Sequence, residues 1–168
     1  MMVVLPVPGE ICRECGLCCR FSDPEVLTPW AIRNPEKGRL PALFEGSRPI
    51  HLSWGEGRMG LSSWICSGLD SKEYRCSLWG GHPADCRLYP LLLVRRSGVF
   101  TLVLDTDCPF SSRADPSFFV RWACKFRDEE WSSLTERDLQ KIAPLADQED
   151  RPHYTAVLSL PSPPSPVP

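Results

Sequence analysis

The sequence contains no run of about 18 or more consecutive apolar residues, which on length grounds excludes a membrane-spanning helix. Charge of one sign is also missing. The 19 basic and 21 acidic residues of the 168 are spread through the chain and leave a formal net charge of −2, so there is no electrostatic footprint for nucleic acid or an anionic membrane surface. A phosphate-cradling loop is absent too, because Gly55, Gly57 and Gly60 have no lysine-serine or lysine-threonine ending and no strand–helix context. Histidine is scarce: His51 and His153 have no supporting neighbours in the sequence, and no cysteine stands apart with a histidine signature as a protease nucleophile would. Glu45, Glu56 and Asp70 form no recognisable acid–base pair.

The opening stretch from Met1 to Pro8 is apolar but has no basic n-region, carries Pro6 and Pro8, and runs straight into cysteine-rich sequence, so a cytoplasmic location is expected. In a reducing compartment thiols stay reduced or bind metal, and nine cysteines, an odd number, cannot all pair within one chain. Metal is therefore preferred to disulfides. The remaining possibility is a secreted protein using the cysteines as bridges.

What the chain does have is cysteine density. Cys12, Cys15, Cys18 and Cys19 fall within eight residues, and the first three are spaced as in the bacterial ferredoxin run, with Gly16 easing the turn. Cys19 follows Cys18 directly, and neighbouring side chains diverge, which sets the run apart from a two-cluster ferredoxin. Five more cysteines stand at 66, 76, 86, 108 and 124. Cys76 and Cys86 bracket a loop with Gly80 and Gly81, and Cys108 precedes Pro109, a pair that recurs beside iron–sulfur ligands.

The length suits one domain with a real core. Residues 1–150 are expected to form a cysteine-cluster metal-binding domain, with a motif region at 10–110, a helical part at 115–145 and a disordered proline-rich tail over 151–168. Thr28-Pro29 predicts a short helix to Asn34, and a short strand is expected around Ile50 to Trp54. Leu91–Arg95 and Val99–Leu104 flank Arg96-Ser97-Gly98 as a hairpin, whose antiparallel pairing would carry Cys86 and Cys108 to its open end. Asp115-Pro116 opens a helix in which Phe118, Phe119, Trp122, Ala123 and Phe126 recur at helical spacing to about Trp131, and Cys124 there reads as a structural thiol. Thr135 and Asp138 resemble a capping box opening a helix that turns Leu139 and Ile142 inward and ends at Pro144. Five prolines in the last eight residues exclude a helix or an inner strand there.

The ordered set Cys12-x-x-Cys15-Gly16-x-Cys18-Cys19-Arg20, then Cys66, then Cys76-Ser77-Leu78, Pro83-x-x-Cys86-Arg87-x-Tyr89-Pro90 and Cys108-Pro109 resembles the CxxCxxCC cysteine-cluster family of zinc- or iron-chelating proteins, the YkgJ family. The resemblance spans roughly residues 10 to 110. It departs at His82, where the family commonly has arginine, and in the charged Asp70, Lys72 and Glu73 between Cys66 and Cys76.

That resemblance implies a small cytoplasmic metal-binding domain whose metal ligands are drawn from Cys12, Cys15, Cys18, Cys19, Cys66, Cys76, Cys86 and Cys108. Eight thiolates suit two four-coordinate sites, or one site with spare cysteines. The cofactor is an iron–sulfur cluster, such as 4Fe-4S, or zinc. Arg20 and Arg87, each following a ligand cysteine, would offset thiolate charge or serve as ordinary surface residues, and His82 is an alternative ligand.

The expected fold class is α+β: a small, loop-rich single domain, metal-stapled, with a β-hairpin and a few short helices. The expected function is metal binding in electron transfer, metal handling or as an accessory protein. The alternatives are a structural zinc module mediating protein–protein interaction and a methyltransferase-associated enzyme, since flagellin lysine methylases carry a related cluster. A protein partner is expected, with no nucleic acid and no membrane.

Overall fold

A computed structural model describes residues 7, 8, 10, 11, 15, 20, 21, 52–56, 62–70, 72, 73, 75–77, 86, 88–147 and 151–162. The protein is α+β and loop-rich, with short antiparallel strands and a few helices. The described residues fall in two compact units: those up to 86 belong to the first and those from 88 onward to the second. Among the described residues no helix is long and apolar enough to cross a membrane. The helix predicted over residues 29–34 lies outside the described residues.

In the first unit, β1 (Arg20–Phe21), β2 (Leu52–Glu56) and β3 (Ser62–Cys66) form an antiparallel sheet in the order β1-β3-β2. The strand expected around residues 50–54 runs two residues later. β4 (Leu69–Asp70) and β5 (Arg75–Cys76) form a second, two-stranded piece. The charged loop between them is held by its own first residue, since Asp70 Oδ1 accepts from the Lys72 and Glu73 backbone N–H groups at 2.9 and 3.1 Å. Asp70 is thus a turn-former, the local bonding for which aspartate is favoured in turns.

The second unit is built on β6 (Leu91–Arg96), β7 (Val99–Asp105) and β8 (Tyr154–Ser159), paired in that order and antiparallel throughout. The predicted hairpin forms with a two-residue loop: Ser97 (φ 50°) and Gly98 (φ 83°) both take the left-handed conformation that a tight hairpin of this twist requires. Leu93, Val94, Thr101, Leu102 and Val103 are all buried, so both faces of these strands are covered.

β8 corrects the expected tail. Residues 154–159 complete the sheet, with Leu102 opposite Leu158 and Val103 opposite Ala156, a shift that leaves Val157 as an extra residue. The backbone of residue 160 continues the attachment through Leu160 N–H to Phe100 C=O, and Trp131 Nε1 donates to the Pro161 carbonyl. The prolines have no N–H to give to a ladder, yet a β-prone Tyr-Thr-Ala-Val-Leu segment precedes them and needs only an open strand edge.

Two of the helices start where their sequence signals place them. α1 (Pro109–Arg113) starts at Cys108 with proline in its first turn. α2 (Pro116–Glu129) is capped by Asp115, whose carboxylate accepts from Ser117 N–H at 2.7 Å, and it buries Phe119, Ala123 and Phe126. Trp131–Ser133 form a 3-10 turn that packs Trp131 edge-on to Phe100. α3 (Glu136–Ala146) shows both halves of the capping box, Asp138 N–H to Thr135 Oγ1 and Thr135 N–H to Asp138 Oδ2. It turns Leu139 inward as expected, and the Ile142 side chain lies outside the described residues. It does not stop at Pro144. So close to the end, proline forfeits only its own N–H bond, and Asp147 N–H closes the last turn on Ala143 C=O.

Arg95 on β6 grips Asp147 beyond α3 through two parallel hydrogen bonds, and this holds the Asp147 carboxyl below the usual carboxylate range. The ionised carboxylate is the favoured form in the fold, so its contribution is present at neutral pH and fades as pH falls through the lowered pKa. Asp147→Asn is expected to lower the melting temperature at pH 7, by an amount that shrinks as the pH falls through the lowered pKa; a loss that stayed the same at every pH would show that the charge plays no part. Phe126→Ala empties a fully buried site and is expected to cost about 3–5 kcal/mol in urea denaturation, and a loss under about 1 kcal/mol would mean that α2 is not core.

Candidate metal centre

Cys66 ends β3, buried, with Leu52 as its ladder partner. The chain then turns through Ser67 and Gly68 into β4, and Gly68 N–H donates to Cys66 Sγ at 3.3 Å. A backbone N–H aimed at sulfur is a contact that metal-bound thiolates receive, and it is one of the levers on a cluster's potential.

Cys76 joins Cys66 through the backbone. It pairs with Leu69 in β4, and the pairing runs on past the strand because Ser77 donates twice to Gly68 C=O, from N–H at 2.7 Å and from Oγ at 3.0 Å. Cys66 and Cys76 therefore both lie at the open end of the β4–β5 hairpin. Ten residues separate them in sequence, and the turn brings them back together.

The residues just after the N-terminal run pair with the strand that Cys66 ends. Arg20, the residue after Cys19, pairs with Ile65, the residue before Cys66, and Phe21 pairs with Trp64. Cys15 sits half-buried on helical backbone in this first unit, and so does Cys86. Cys12, Cys18, Cys19, His82, Arg87 and the side chain of Arg20 lie outside the described residues.

Cys108 belongs to the second unit. It is buried at the N-cap of α1, with its N–H donating to Asp105 C=O at 3.4 Å. The predicted hairpin opens toward it as expected, because Asp105 N–H bonds Pro90 C=O just beyond the last ladder pair. Cys124 is half-buried on α2 beside Trp122. Cys15, Cys66, Cys76, Cys86, Cys108 and Cys124 all carry thiols, the form from which metal ligands are made.

A second group was missed by reading the sequence. His153, which has no supporting neighbour there, lies with Nε2 3.8 Å from Asp105 Oδ1 and 3.8 Å from Asp107 Oδ2. Among the described residues, these are the three metal-binding side chains whose ligand atoms all lie within 4.8 Å of one another. The only signal available was Asp-Thr-Asp at the end of a predicted strand; the histidine arrives through β8, which was expected to be tail.

Comparison with known proteins bears on the cysteines. No curated protein and no solved structure gives a match. Residues 11–109 match the family model CxxCxxCC, described as "Putative zinc- or iron-chelating domain". The matched span is 99 of 168 residues, contains all eight cysteines expected as ligands and leaves out Cys124. The chain belongs to the CxxCxxCC family of zinc- or iron-chelating domains.

Proposed function

We propose that this protein is a cytoplasmic cysteine-thiolate metal protein, holding an iron–sulfur cluster or zinc and serving in electron transfer, metal handling or as an accessory to another protein. One observation carries the reading: the β1–β3 pairing sets the neighbours of Cys19 and Cys66 opposite each other, and Cys76 returns to Cys66 through the next hairpin. Backbone at Arg20, Cys66 and Cys76, from three stretches of the cysteine motif, is thus linked through β3 and the hairpin after it, which supports a shared centre.

The residues fit such a centre on their own chemistry. Cys66 is buried, its sulfur already receives the Gly68 N–H, and its neighbours come from separate parts of the chain, which is how a metal cross-links a loop-rich unit. Cys66 and Cys76 would ligate together with the N-terminal run. Zinc would act as a staple without redox chemistry, and an iron–sulfur cluster would add electron transfer at a potential tuned by N–H···S bonds.

Anaerobic purification followed by metal and acid-labile sulfide analysis separates the two. Brown protein with iron and sulfide in equal amounts and bleachable visible absorbance is expected for a cluster, and colourless protein with stoichiometric zinc for the staple. Protein with neither, at less than about a tenth of an equivalent, would sink the proposal. Cys66→Ser is expected to lower bound metal and melting temperature together, since structural zinc contributes about 10–16 kcal/mol in small modules. Full metal content in that variant would place Cys66 outside the centre.

A further inference from the structure

We propose that Asp105, Asp107 and His153 form a second metal site, built from oxygen and nitrogen donors, for a divalent first-row ion such as zinc or manganese. The observation is geometric. His153 Nε2 is the same 3.8 Å from one oxygen of each carboxylate, and each of the three residues offers a ligand atom within 4.8 Å of the other two.

That spacing suits donors facing an ion better than donors facing each other. An N–H···O bond runs at about 2.7–3.2 Å, shorter than either contact here. Donors held at about 2.1 Å from a tetrahedral ion stand roughly 3.4 Å apart, so each of the two histidine contacts needs to shorten by only about 0.4 Å. Two carboxylates brought this close also repel, and one of them is buried: Asp105 is only 8% exposed. A divalent cation offsets both charges at once.

The three donors are held from behind. Tyr89 Oη donates to Asp105 Oδ2 at 3.0 Å, and the Asp107 N–H donates to Asp105 Oδ1 at 2.9 Å. These leave each oxygen a further lone pair. Ser111 Oγ holds the Asp105 carbonyl at 2.6 Å, and Thr106 Oγ1 holds the His153 carbonyl at 2.8 Å, so the backbones carrying both side chains are anchored. Such outer contacts are what orients metal ligands. Entry is open on the other side, where Asp107 is exposed and His153 partly so.

One imidazole and two carboxylates are borderline-to-hard donors, unlike the thiolates of the cysteine motif, and they leave coordination positions for water. An ion here bridges the end of β7 to the residue preceding β8, and so clips the C-terminal strand into its sheet. The site is independent of the thiolate reading and stands or falls separately.

The test is a Mn²⁺ titration of the full chain, purified with its cysteine centre loaded, read by loss of the six-line electron paramagnetic resonance signal of the aqueous ion. Manganese is chosen because thiolates compete poorly for it. One equivalent bound is expected, with a higher melting temperature in Mn²⁺. Asp107→Asn and His153→Ala should each weaken binding at least about tenfold and abolish the thermal shift, while Cys66→Ser leaves Mn²⁺ binding intact. Asp107 is exposed, so its variant is expected to fold even if one at Asp105 does not. Absence of Mn²⁺ binding, or binding that both variants retain at wild-type strength, overturns the proposal.

Discussion

The first unit depends on closing a long loop with very little backbone. β1 is two residues long, and its pairing with Trp64 and Ile65 joins positions 43 and 45 apart in sequence. Closing a loop of that length costs about 3 kcal/mol beyond the constant for a short one, and a net hydrogen bond returns only about 1 kcal/mol. Two ladder positions do not decisively outweigh that cost. The proposed thiolate centre acts where the shortfall lies, since the strand begins directly after Cys19 and its partner ends on Cys66. A metal that binds both sides of such a ladder turns a marginal pairing into a committed one, and cysteine density then substitutes for a large core.

The second unit is held differently. Its sheet buries Leu91, Leu93, Val94, Leu102 and Val103, and α2 adds Phe119 and Phe126, all at 5% exposure or less. Burial of large apolar side chains at about 1.5–3 kcal/mol each needs no metal to explain it. The contrast between the units follows from composition: the apolar runs and periodic aromatics fall after residue 90, and the cysteines and glycines concentrate before it.

The same division decides what was legible in the sequence. The Ser97-Gly98 hairpin, the Asp115 cap, the aromatic face of α2 and the Thr135–Asp138 box are signals complete within a few residues, and each appears as read. Pro144 misled because the rule that proline ends a helix weakens in the last turn. β8 misled because a strand's existence depends on an open edge elsewhere, here that of β7, and the prolines behind it coloured the reading of the residues before them. For the site, the ordered cysteines were legible as a family pattern, and the ladder pairings that link Arg20, Cys66 and Cys76 were not. Register depends on side chains more than forty residues away.

The Asp105, Asp107 and His153 group illustrates this most sharply. No spacing rule links residues 107 and 153; they meet because β8 returns antiparallel to β7, with Asp105 opposite Tyr154. Shifting that register by one residue would send the side chains of the strand to the opposite face and carry His153 away from the carboxylates. The extra residue at Val157 falls on the far side of the strand from His153, so the pairings that set the histidine's position run unbroken from Val103 to Asp105. The proposed site is thus a property of sheet register. Donor chemistry distinguishes the two proposed sites: thiolates favour soft ions at one, while oxygen and nitrogen donors at the other also accept a hard ion such as manganese that thiolates hold poorly.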